Sequence, residues 1–124
     1  MNLRLLYIAA PYSAPTMKGV GNNICFAWDV AVDVITQCPG FFPVVPQAST
    51  AHMENCAPVE YFYEGTAELL RRCDAVLMAG NWKESKGCVN ERCMAMILKM
   101  PIYYAIEEVK NAAKKEEGGD DAQG

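Results

Sequence analysis

The sequence has a single histidine, His52, and no Cys-x-x-Cys pair, its closest cysteines being Cys88 and Cys93. That leaves no ligand spacing for a structural metal. It has no basic surplus, with 11 Lys and Arg against 15 Asp and Glu and a net charge of −4. Binding a nucleic-acid polymer through its phosphates needs a basic stripe that displaces counterions, so that class of partner is excluded. Nor is there an apolar run near the roughly 20 residues a bilayer span requires. LLYIAAPY near the start and CMAMILKMPIYYAI near the end are both broken by proline or lysine. Only Arg4 precedes the first apolar run, without a separate charged region or cleavage site. No secretory signal or membrane partner is therefore expected, and the chain reads as cytoplasmic. Six cysteines are present, Cys25, Cys38, Cys56, Cys73, Cys88 and Cys93. Scattered as they are, they read as free thiols in a reducing compartment.

What is present is apolar bulk: 52% hydrophobic residues in 124 positions, enough for one core and one globular domain. Residues 3–10, LRLLYIAA, form a continuous apolar run ended by Pro11, which predicts a strand buried on both faces of a parallel sheet. In NNICFAWDVAVDVITQ, Ile24, Ala27, Trp28, Ala31 and Ile35 recur at helical spacing, and Pro39 and Gly40 end the helix. FFPVV resumes as a strand that Pro43 restricts to an edge. The polar stretch PQASTAHMENCAPVE reads as a long loop and a candidate lid. A helix over residues 59–73, with Gly65 in its middle, the strand DAVLMAG, the loop NWKES, the helix GCVNERCMAMILK and the strand PIYYAI follow.

The order βαβαβαβ predicts an α/β fold of the doubly wound, Rossmann-like or flavodoxin-like kind: a mostly parallel sheet of four to five strands with flanking helices. Residues 1–106 make the domain. Residues 107–124 begin with helix formers and decay into Gly, Asp and Gln, which predicts a helical extension without an apolar face and a disordered acidic tail over the last ten or so residues.

In such a sheet the ligand lies outside the carboxyl ends of the strands. The segments after the strands are residues 11–13, 46–50 and 80–87, and they should share one rim. The third carries Asn81 and Trp82 and leads into a helix for which Ser85 is the N-cap, with Lys83 and Lys86 beside it, an arrangement suited to an anion. One turn on stands Glu91, on the flank of the apolar set Val89, Met94, Ala95 and Leu98. Such a carboxylate can complement the helix dipole, or it can project into a cleft as a nucleophile that captures an oxocarbenium-like sugar carbon. Trp82 can stack on a base or serve packing. Asp74, at the start of the third strand, lies at the end opposite the rim and reads as structural.

YIAAPYS after the first strand, CDAVLMAGNW on the third and SKGCVNERCMA opening the next helix together resemble the nucleoside 2-deoxyribosyltransferase superfamily, above all its small phage and bacterial members of unknown function. The order of elements is similar over about residues 5–105, and residue-level matches are confined to these motifs. The superfamily form SxGxxxE is met by Ser85, Gly87 and Glu91. The resemblance implies that Glu91 is the glycosyl-accepting nucleophile and that Ser85 contacts the 5′ hydroxyl or phosphate. It further implies that Tyr7, Tyr12 and Ser13 line the sugar pocket, with Ala10 and Pro11 between them among the substrate-binding residues, and that Gln47, Thr50 and His52 stand where related enzymes recognise the base. For Tyr7 and Tyr12, plain packing is the alternative, and for His52 plain surface. Ala10 stands where relatives usually carry glycine. The superfamily aspartate that helps protonate the leaving base is missing; its neighbourhood reads Glu64, Gly65, Thr66, and Glu64 is either its substitute or a solvated helix charge.

The resulting expectation is an N-glycosidic bond hydrolase or transferase acting, without cofactor, on a nucleoside or nucleoside 5′-monophosphate. The alternative is a binding protein of the same fold that sequesters or senses a nucleotide or nucleotide-sugar. A homo-oligomer is expected by resemblance, with its contact on the aromatic helix around Tyr61, and a purely structural or partner-binding domain, resting on the aromatics Tyr61, Phe62, Tyr63 and Trp82, is a third reading.

Overall fold

An apolar run without polar alternation can be a strand only where both of its faces are covered. In the computed structural model, which describes residues 2–123 and the side chains of residues 2–115, that run is strand β1 (Arg4–Ala9). Leu6 and Ile8 enter a core on one face and Tyr7 and Ala9 a core on the other. Strand β3 (Ala75–Met78) divides likewise, Ala75 and Leu77 to the first face, Val76 and Met78 to the second. Each fully buried Leu or Ile contributes about 1.5–3 kcal/mol relative to exposure, so these two strands anchor the fold.

Strand β2 (Phe41–Val44) pairs with β1, and β4 (Ile102–Tyr103) with β3. The order is β2-β1-β3-β4 and every pairing is parallel, the doubly wound α/β arrangement predicted from sequence. Pro43, opposite Leu6, is on the edge strand, where its missing N–H leaves no ladder bond unmade.

Helix α1 (Met17–Gln37) and helix α5 (Ile106–Gln123) cover the first face; α3 (Val59–Arg71) and α4 (Lys86–Ile97) cover the second. Four sequence expectations need correction here. Helix α1 begins about five residues earlier than its apolar pattern suggests, because Thr16 accepts a 3.0 Å hydrogen bond from the Gly19 N–H and caps it. Its buried stripe is Ile24, Ala27, Val30, Ala31 and Val34, whereas Trp28 and Ile35 are 51% and 64% exposed. The segment beyond Glu107 does have an apolar face, since Val109 and Ala113 are buried in the core. The expected disordered tail falls on residues 116–124, outside those whose side chains are described. The lid segment is also more structured than a loop. It holds a short helix, α2 (Pro46–Ser49), and a 3₁₀ turn, Glu54–Cys56.

Asp74 is structural, as read from its position. Its carboxylate accepts the Leu5 N–H at 2.7 Å while its own N–H donates to the Leu5 carbonyl at 2.8 Å. At the other end of β3, Gly80 turns the chain with φ +64°, and a Cβ there would lie 2.8 Å from the Phe26 ring. Gly80→Ala is expected to cost about 1–2 kcal/mol, from the left-handed backbone together with displacement of a ring that can partly move. Urea unfolding of the two proteins checks this, and an unchanged midpoint would show that the turn does not need glycine.

Candidate functional site

The chain passes from β1 outward to β2 and then returns to the opposite side of β1 to lay down β3. That reversal leaves a crevice beyond the carboxyl ends of β1 and β3. A cavity of about 430 Å³ opens there, within the range of small-ligand sites. Its wall comes from the segments after β1 and β2, from α3 and from the first turns of α4.

Helix α4 sets the central group. The Ser85 side chain accepts the Cys88 N–H at 3.3 Å, which fixes the start of the helix and its rotation. Cys88 and Ala95 are buried, and Glu91, three residues after the first and four before the second, shares their inward stripe. A carboxylate thus occupies a position where packing alone calls for an apolar side chain. The phenol of Tyr7, itself fully buried, donates to Glu91 Oε2. Burial, offset in part by that phenol, raises the Glu91 carboxyl from its ordinary 4.5 to about 7. Burial first, and the Glu91 charge second, push the Tyr7 hydroxyl well above its usual range, so Tyr7 remains a donor at any ordinary pH. Cys88 also lines the cavity, but burial raises its thiol to about 11 and leaves it protonated and poorly nucleophilic.

Another part of the wall is the segment after β2, through Pro46, Gln47, Thr50 and Glu54. Gln47 is buried and donates from Nε2 to the Ala10 carbonyl at 3.3 Å, tying α2 to the end of β1. Tyr12 donates its hydroxyl to Glu54 Oε1 and accepts the His52 N–H at 2.8 Å. His52 has φ +62°, in the left-handed region, which aims that N–H. Asn23 of α1 holds the Tyr12 carbonyl at 3.0 Å. The β1–α1 loop and the lid are therefore fastened through one side chain.

Of the residues singled out from sequence, the structure brings Tyr7, Ala10, Tyr12, Ser13, Gln47, Thr50, Ser85, Gly87 and Glu91 to the cavity. It does not bring Pro11, His52, Asn81, Trp82 or Glu64. His52 meets the site only through its backbone. Trp82 packs against Tyr104, ring centroids 5.8 Å apart, with Arg92 over its face. Glu64 lies on the outer side of α3 with Glu68 and Arg71, because 100° of rotation per residue carries it out of phase with Tyr63 and Thr66, which do face the cavity. Lys83 and Lys86 are exposed and stand outside the lining, so among the described residues no basic side chain lines the cavity. Of the aromatics expected on the surface, Tyr61 and Tyr63 are exposed, whereas Phe62 is half-buried in the cavity wall. Sequence reasoning did not single out Glu54, Thr66, Asn90 or Met94, all of which line the cavity. Among the described residues no three His, Cys, Asp or Glu side chains converge as a metal-ligand set, and no helix is long and apolar enough to cross a membrane.

Fold and site together define a doubly wound α/β protein with a half-buried carboxylate, Glu91, in a ligand-sized cavity at the switch point of its sheet. The chain belongs to the family described as Domain of unknown function (DUF4406), which it matches over residues 6–104. No curated protein and no solved structure matches it.

Proposed function

We propose that the protein cleaves or exchanges the N-glycosidic bond of a nucleoside, with Glu91 as the nucleophile. One observation carries this reading: a half-buried carboxylate on the inward face of α4, held by the Tyr7 phenol and open to a 430 Å³ cavity. The Ser85, Gly87, Glu91 spacing resembles the nucleoside 2-deoxyribosyltransferase superfamily and supports the same role. In the first step a Glu91 oxygen bonds to C1′ while the C1′–N bond breaks, and the electron pair leaves with the base, which takes a proton from solvent. In the second, water or another base attacks C1′ and gives up its proton to solvent, the ester bond breaks and the carboxylate is restored. A wall with two carboxylates, Glu54 and Glu91, and no basic side chain among the described residues favours an uncharged nucleoside over its 5′-monophosphate.

A second reading, binding without cleavage, is favoured by the outward position of Glu64, which leaves the superfamily's leaving-group acid without a substitute there. One experiment separates the two. The purified protein is incubated with ribo- and deoxyribonucleosides and their 5′-monophosphates, and free base is followed by chromatography. Release from nucleosides ahead of monophosphates is the expected result. A raised melting temperature with the nucleoside recovered intact would transfer the assignment to binding, and neither response would overturn both.

A further inference from the structure

The lid places a second carboxylate on the cavity wall that the proposed chemistry does not use. Glu54, on the 3₁₀ turn after α2, faces the cavity from beyond β2, while Glu91 faces it from α4, beyond β3. The two therefore stand on opposite sides of the end of β1. The Glu54 carboxylate is aimed rather than loose: the Tyr12 hydroxyl donates to Oε1, and Tyr12 is itself held through the His52 N–H and Asn23. With Oε1 occupied by a donor, Oε2 remains as an acceptor that can take a hydrogen bond but cannot give one. With the sugar carbon against Glu91, Glu54 is the other carboxylate of the same cavity that a base can meet.

We infer that Glu54 is a specificity-determining residue that selects bases bearing an exocyclic amino group. This rests on the nucleoside reading above. An amino group offers the N–H that a carboxylate oxygen accepts, as glutamate does with the cytosine amine in nucleic-acid recognition. An oxo group at the same position opposes a lone pair to a lone pair and leaves both acceptors unsatisfied. Adenosine against inosine, and cytidine against uridine, differ at this position by amino for oxo, and so form matched pairs.

The test compares kcat/KM, or the dissociation constant where no base is released, for each pair with wild type, Glu54→Gln and the double variant Glu54→Gln with Tyr12→Phe. Wild type should prefer the amino member by about tenfold. In Glu54→Gln the Tyr12 hydroxyl still holds the side-chain carbonyl, so the amide nitrogen replaces Oε2 and presents a donor; the preference should reverse toward inosine and uridine. In the double variant the amide is free to turn, and the preference should vanish. Comparing ratios across variants cancels the intrinsic leaving ability of the bases, and melting curves confirm that the exposed substitution leaves the fold intact. Nucleoside activity or binding with the same amino-to-oxo ratio in all three proteins would overturn the role of Glu54 and leave the nucleoside reading standing. No response to any nucleoside would overturn the reading and this inference with it.

Discussion

Glu91→Gln is expected to abolish base release, by about a thousandfold or more, and at the same time to make the protein more stable than wild type at pH 8. Both effects come from one group. Gln matches Glu in shape and can still accept the Tyr7 hydrogen bond, but its amide cannot form the ester to C1′. The stability effect follows from the proton. The carboxyl ionises at about 7 in the folded protein, against an ordinary 4.5. The folded state therefore holds this proton more tightly than the unfolded chain does. The stabilisation that gives is fully present below about pH 4.5 and is lost as pH rises through about 7. The difference corresponds to about 3 kcal/mol for full burial, and to less here because Glu91 opens onto the cavity. Wild type should thus lose roughly 2 kcal/mol between pH 5 and pH 8 that Glu91→Gln retains. Unfolding midpoints of both proteins across that range measure it. Parallel curves would mean that Glu91 is not held in a desolvating site, and retained turnover would remove it as nucleophile.

How much of this was legible in the sequence depended on distance along the chain. β1 and β3 could be read because a strand buried on both faces needs an uninterrupted apolar run, and LLYIA and AVLM are such runs. The start of α4 could be read because a cap, a glycine and an acid stand within seven residues and their geometry is local. In helix α1, Ile24, Ala27 and Ala31 are buried as the spacing predicts, but Trp28 and Ile35 are not, because apolar residues surround the helix: Phe26, Trp28, Val32 and Ile35 are all exposed large hydrophobics. Periodicity cannot choose between two apolar stripes, and only packing against the sheet selects the one through Ala27 and Val34. The partners of the site were hidden for another reason. Tyr7 meets Glu91 across 84 positions, and Tyr12 meets Glu54 across 42. Nothing local marks Glu54, one acid in a polar lid, as a residue that the strand order brings to the cavity. Glu64 shows the converse. It stands in sequence beside residues that line the site, and helical phase turns it away.

Tyr7→Phe is expected to move the pH dependence of kcat/KM upward. The nucleophile acts as its anion, so wild-type activity should rise with pH through about 7, the value to which burial lifts Glu91. That lift would be larger without Tyr7, whose phenol is the one influence opposing burial. A hydrogen bond to a charged group is worth about 1.5–3 kcal/mol, which corresponds to a rise of roughly one to two pH units when it is removed. At pH 6 the variant should therefore be slower than wild type by about ten- to a hundredfold, and should recover most of that loss at alkaline pH. The phenyl ring keeps the packing of Tyr7 against Val76 and Cys88 in the second core, so the fold should persist with only a modest change in melting temperature. These two features separate ionisation control from plain structural damage. Damage lowers the whole profile without moving its midpoint, whereas loss of the donor moves the midpoint. A Tyr7→Phe profile superimposable on wild type would show that the phenol does not govern the charge on Glu91, and the carboxylate would then need another source of stabilisation.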